Sequence, residues 1–191
     1  MNKRITSILL CFVMLFSMLV SAVPAYAAPA NPPMVFIEAD RTEANPGDTI
    51  TYKFYLQQPD TMTAFAFNMV ATDGLTYVEG SGTLGSTASA AWGSTFEWVP
   101  EADLQLQWYS SSGDDVTDTS KIELITIQFK VADDATIGAE YELSLTNMQL
   151  AAGSTQNYDD ISSTVEVSTA KVKIVAKPVA VTGVTIDETL S

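Results

Sequence analysis

An all-β, antiparallel β-sandwich is the fold class this sequence predicts, on three observations. Apolar residues recur at period two along several runs. No stretch beyond Ala30 sustains a helical apolar period. Clusters of turn-forming residues punctuate the runs. About nine short strands with this punctuation describe two packed sheets rather than a bundle or an alternating α/β fold.

The runs follow in order. Met34–Ala39 is the first, and Asn45-Pro46-Gly47-Asp48 turns the chain into Thr49–Leu56. There Ile50, Tyr52, Phe54 and Leu56 share one face, with Thr49, Thr51 and Lys53 on the other. After Gln58-Pro59-Asp60, the run Ala64–Ala71 sets Phe65, Phe67 and Met69 against Ala64, Ala66, Asn68 and Val70. Thr72-Asp73-Gly74 precedes Leu75–Glu79. Gly80–Gly93 consists of Gly, Ser, Thr and Ala with Leu84 and Trp92 embedded, which predicts a long flap. Ser94–Val99 follows, then Pro100-Glu101, then Leu104–Tyr109, which sets Leu104, Leu106 and Trp108 against Gln105, Gln107 and Tyr109. Ser110–Ser120 is a polar loop. Ile122–Val131 begins apolar on both faces, as a central or bulged strand does. After Asp133-Asp134, Glu140–Leu145 and Thr164–Val175 complete the set.

The two ends read differently. Lys3 and Arg4, an apolar run from Ile8 to Val20, and the small-residue exit Ala25-Tyr26-Ala27 have the anatomy of a secretory signal peptide over residues 1–27. The apolar run is short for a membrane anchor, so no span is expected in the mature chain. Cys11 lies inside this run behind Leu10, which does not suit a lipid-modified cysteine. It is the only cysteine, so an exported mature chain must be held by its core rather than by disulfides. Residues 34–176 form the predicted sandwich, and residues 177–191 a linker at Lys177-Pro178 followed by the start of another strand, Val181–Ile186.

Composition excludes several classes of function. A net charge of −14 opposes binding to nucleic acid or to an anionic membrane. The absence of histidine removes serine triads, His–Cys zinc sites and histidine-ligated haem. Two carboxylates suffice for glycoside hydrolysis, but the acids sit mostly in turns or on outward strand faces, and no nucleophile–base pair is present. No catalytic residue is assigned, and the chain is read as a non-enzyme.

Four segments in order resemble a cohesin domain of bacterial cell-surface and polysaccharide-degrading assemblies. They are Ala44–Thr51 (ANPGDTIT), Ala64–Met69 (AFAFNM) with Leu75–Val78, Leu104–Tyr109 (LQLQWY) with Gly113, Val116 and Thr117, and Ile125–Val131 (ITIQFKV) with Gly138 and Tyr141–Leu145. The resemblance implies a nine-stranded jelly-roll without catalytic activity, related to carbohydrate-binding modules. It also implies that a flat face including the strands at Ala64–Ala71, Ser94–Val99 and Leu104–Tyr109 captures a dockerin module. Ala66 stands where such domains often carry Asn or Asp, and Ala71-Thr72-Asp73 replaces their usual Tyr-Asp. The tail Val181–Asp187 resembles the opening strand of a group-two bacterial Ig-like domain, a stalk module of surface proteins.

The residues therefore offer two binding readings and a ligand-free one. A partner-binding face would use Ala66, Asn68, Gln105, Gln107 and Tyr109, small groups and amides that can be desolvated without stranding charge. The competing fate for this face is burial under the Gly80–Gly93 flap. A polysaccharide-binding module would instead use free aromatic rings, with Trp92 in the flap first and Tyr109 and Tyr158 behind it, while Trp98 and Trp108 keep the phase of the core. The third reading is a structural spacer. No cofactor is assigned; Asp114, Asp115 and Asp118, or Asp159 and Asp160, could offer oxygens to calcium but lack the EF-hand spacing. The expected partner is a dockerin-like module or another extracellular protein, met outside the cell or at the bacterial surface.

Overall fold

Each run predicted between Met34 and Val175 takes its place in a ladder in the computed structural model, which describes residues 32–58, 61–110, 120–154 and 157–178. The leader, the loop acids Asp114, Asp115 and Asp118, and the tail with its Ig-like run lie outside the described residues. In chain order the elements are β1 (Met34–Ala39), β2 (Glu43–Ala44), β3 (Thr49–Gln57), β4 (Met62–Ala71), β5 (Leu75–Tyr77) and β6 (Thr83–Leu84). A short helix α1 (Ser86–Trp92) precedes β7 (Glu97–Val99), β8 (Gln105–Tyr109), β9 (Ile122–Val131), β10 (Glu140–Tyr141) and β11 (Leu143–Ser154). The last strands are β12 (Asn157–Asp160), β13 (Glu166–Ser168) and β14 (Val172–Ile174).

One sheet runs β13-β1-β3-β9-β5, with β6 also paired to β9; a second runs β12-β11-β4-β8-β7. A three-stranded sheet, β10-β14-β2, makes the third group. The architecture is the predicted β-sandwich, and the count exceeds about nine because short ladders and divided runs register as separate strands. Two pairings depart from the antiparallel expectation: β13 lies parallel to β1, and β14 parallel to β2. The last described strands thus run beside the first described ones in the same direction, which a succession of hairpins would not produce.

The local chemistry explains the register. Asn45–Asp48 closes with the Asp48 amide donating to the Asn45 carbonyl at 3.0 Å, and Gly47 sits at φ +84°, where a side chain would be strained. The doubled apolar start of β9 is a bulge on a central strand: its pairing with β3 slips between Phe54 and Tyr55, and both Leu124 and Ile125 are buried. Between the two large sheets Phe54 stacks on Phe67 at 6.4 Å, and within the β3–β9 sheet Tyr52 meets Phe129 edge-on at 5.9 Å.

The Gly80–Gly93 flap is a correction. It folds as β6 and α1, both held against β9, because Ala88 and Trp92 lie four residues apart and bury one helical face. Gly85 permits this close approach: a Cβ there would lie 2.0 Å from the Glu123 carbonyl oxygen.

Tyr52 is fully buried, and its hydroxyl has no hydrogen-bond partner among the described residues. Burial pushes the phenol up to about 12, with Asp40 and Glu142 adding negative charge nearby. Tyr52→Phe is expected to leave stability unchanged or raise it by about 1–3 kcal/mol, since it removes an unpaired polar group. The native chain should also lose stability as pH rises from about 10, where the unfolded phenol ionises, toward the folded value of about 12. Urea unfolding across that window should show a shallower decline for the variant.

Candidate partner-binding face

The site begins with the alternation of β4. Phe65, Phe67 and Met69 are buried inward, which turns Ala64, Ala66, Asn68 and Val70 to the other side, where Val70 is 44% exposed. β8 pairs with it antiparallel, burying Leu106 and Trp108 and turning out Gln105, Gln107 and Tyr109. β11 flanks β4 on the far side, and β12 continues the sheet.

The ladders place specific side chains side by side. One row across the face reads Glu97, Gln107, Ala66, Gln149, and the next reads Tyr109, Ala64, Ala151, Asp160. The Gln107 amide donates to the Glu97 carboxylate at 3.1 Å. Ala64, Ala66, Gln107, Gln149 and Ala151 of these rows floor an open groove of about 500 Å³ walled by Tyr109 and Tyr158, which are 53% and 62% exposed. At its margin the Ser162 hydroxyl and amide both donate to Asp160 and hold its carboxyl below the usual range. The groove thus has an uncharged alanine and glutamine floor with a fixed negative charge at one edge.

Ala66, Gln105, Gln107 and Tyr109 all lie on this face, as the alternation predicts. Asn68 does too, but it is only 7% exposed and fully engaged. Its amide donates to the carbonyls of Ala102 and Asp103 at 2.7 and 3.1 Å, and its oxygen accepts from Asn147 at 3.2 Å. The loop before β8 passes over it with Asp103 and Leu104 in the left-handed region, which also delays the strand's start to Gln105. Asn68 therefore shapes the face rather than presenting a contact.

Trp92 is the larger correction. It is 6% exposed and packs against Phe65, Phe96 and Trp108 at 5.5, 5.1 and 5.4 Å, while its carbonyl accepts from the Trp108 indole at 3.2 Å. A ring so enclosed cannot stack on a sugar. Since α1 and β6 attach to β9 of the other sheet, the flap does not cover the groove. Asp159 and Asp160 pair with Ala152 and Ala151, and no cluster of three metal-ligating side chains occurs among the described residues.

Gln149, Ala151 and Asp160 were missed as face residues. The alternation is interrupted beyond Leu145, where β11 carries a register break between Thr146 and Gln149, with Asn147 at φ +51°. The break hides the alternation that resumes beyond it.

The sequence matches no family model and no curated protein. Solved structures do match. The seventh ScaB type I cohesin of Pseudobacteroides cellulosolvens is 14% identical at a TM-score of 0.59, covering 79% of this chain and 97% of that one. The third ScaC cohesin of Acetivibrio cellulolyticus, solved with the ScaB dockerin, is 20% identical at 0.57, covering 75% and 99%. The OlpA cohesin of Clostridium thermocellum, also in a dockerin complex, is 16% identical at 0.54, covering 74% and 99%. The chain has the cohesin fold, as its four segments implied.

Trp92→Ala is expected to cost about 3–5 kcal/mol of folding stability as a core truncation. Asn68→Ala should cost about 1–3 kcal/mol by leaving two carbonyls without their donor. Thermal and urea unfolding check both; wild-type stability in Trp92→Ala would return that ring to the surface.

Proposed function

We propose that this chain is a non-catalytic binding module that captures a dockerin-type partner module through the outward face of the β12-β11-β4-β8-β7 sheet. The observation that carries this reading is the open groove with a floor of Ala64, Ala66, Gln107 and Gln149. Such a floor can be covered by another protein without stranding a charge, and alanines admit a close approach of a partner's backbone. The opposite sheet is unsuited: Lys121 pairs with Glu38 and lies 4.5 and 4.4 Å over the rings of Phe36 and Tyr55, while Lys53 pairs with Glu123 at 3.1 Å.

Support comes also from the shared fold, since several of the similar cohesins were solved with a dockerin bound. The leader over residues 1–27 supports export and action outside the cell or at a bacterial surface, and the resemblance to cohesins supports a polysaccharide-degrading setting. No helix among the described residues is long and apolar enough to cross a membrane. The lack of histidine supports a non-catalytic role.

A second reading rests on one observation: Tyr109 and Tyr158 both wall the same groove and could hold a glycan between them. A pull-down against a panel of dockerin-bearing proteins, run beside an insoluble-glucan retention assay, separates the two. Partner capture should fall at least about 100-fold in Gln107→Arg, which sets a long side chain on the groove floor where the partner must approach. Glucan retention that disappears in the Tyr109→Ala/Tyr158→Ala variant, with no dockerin captured, would establish the glycan reading instead.

A further inference from the structure

A second groove lies at the open edge of the sandwich, away from the partner-binding face. It encloses about 550 Å³ between β5, the edge of one sheet, and β7, the edge of the other, and is lined by Tyr77, Trp98, Glu79, Glu101, Pro100 and two glycines. Trp98 pairs across the ladder with buried Leu106, so its side chain points into the gap between the sheets rather than onto the outer face. There it meets Tyr77 with ring centroids 6.0 Å apart and planes at 77°. The indole is set close against Gly82, where a Cβ would lie 2.4 Å from Nε1.

Two rings at right angles form a corner, not a platform. A pyranose needs a flat ring face, whereas a compact cation is attracted to two ring faces at once. The charges agree: Glu79 and Glu101 are exposed carboxylates, and no lysine or arginine among the described residues lines the groove to neutralise them. We propose that this groove binds an ammonium group, held by the Tyr77 and Trp98 rings with Glu79 and Glu101 as counter-charges. The same chemistry could arrive as a free quaternary ammonium compound or as the lysine side chain of a protein partner.

The test is an NMR titration of the whole exported chain, following the Trp98 indole N–H with choline, Nα-acetyl-lysine amide and cellopentaose. Choline should give a saturable shift that weakens with added NaCl. In Glu79→Gln/Glu101→Gln the affinity should fall about tenfold. Because those side chains are exposed, the double variant should fold normally. Gly82→Ala, which displaces the indole, should abolish the shift. A response to choline alone assigns a free quaternary ammonium, and a response to the lysine amide assigns a partner's lysine. The proposal is overturned if none of the cations moves the Trp98 resonance, if their affinity is unchanged in the double variant, or if cellopentaose produces the saturable shift instead.

Discussion

The inward packing of Phe65 and Phe67 is the constraint on which the rest of this molecule depends. Phe67 stacks on Phe54 of the opposing sheet, and Phe65 contacts Trp92, Phe96 and Trp108. Full burial of such a side chain is worth about 1.5–3 kcal/mol, and a slip of one residue along β4 would expose both rings with Met69. The phase of β4 is therefore locked. That lock turns Ala64 and Ala66 outward, and through the ladders it aligns Gln107, Tyr109, Gln149 and Ala151 beside them.

The two large sheets divide their work by surface chemistry. On the β3–β9 sheet, Lys121 lies over the rings of Phe36 and Tyr55, and charged side chains pair with each other. Exposed pairs of this kind add little stability, but they keep the surface hydrated. The sheet containing β4 carries small groups and amides at its centre, with Glu97 and Asp160 at its margins. A strongly acidic chain with one uncharged face suits a partner that is apolar at its contact centre and basic around it.

Much of this was legible from residue order because sandwich strands write their burial at period two. The strands at Met34–Ala39 and Ile122–Val131 end where the sequence pattern ends, and even the bulge in β9 shows in the adjacent Leu124 and Ile125. The failures share a cause: tertiary contacts that leave no periodic trace. Trp92 sits among alanines and serines that resemble a loop, yet a seven-residue helix carries it into the core. Asn68 alternates outward correctly, but only the path of residues 102–103 reveals that it is spent on structure. The face extends to Gln149 and Asp160 across a break in β11 that alternation cannot bridge.

Alanine-methyl NMR of the exported chain, with and without a captured dockerin module, decides whether the β4 face makes the contact. Capture through that face shifts the methyls of Ala64, Ala66 and Ala151, while those of the buried Ala44 and Ala88 stay in place. Binding that leaves the three face methyls unmoved and perturbs residues of the β3–β9 sheet would contradict it.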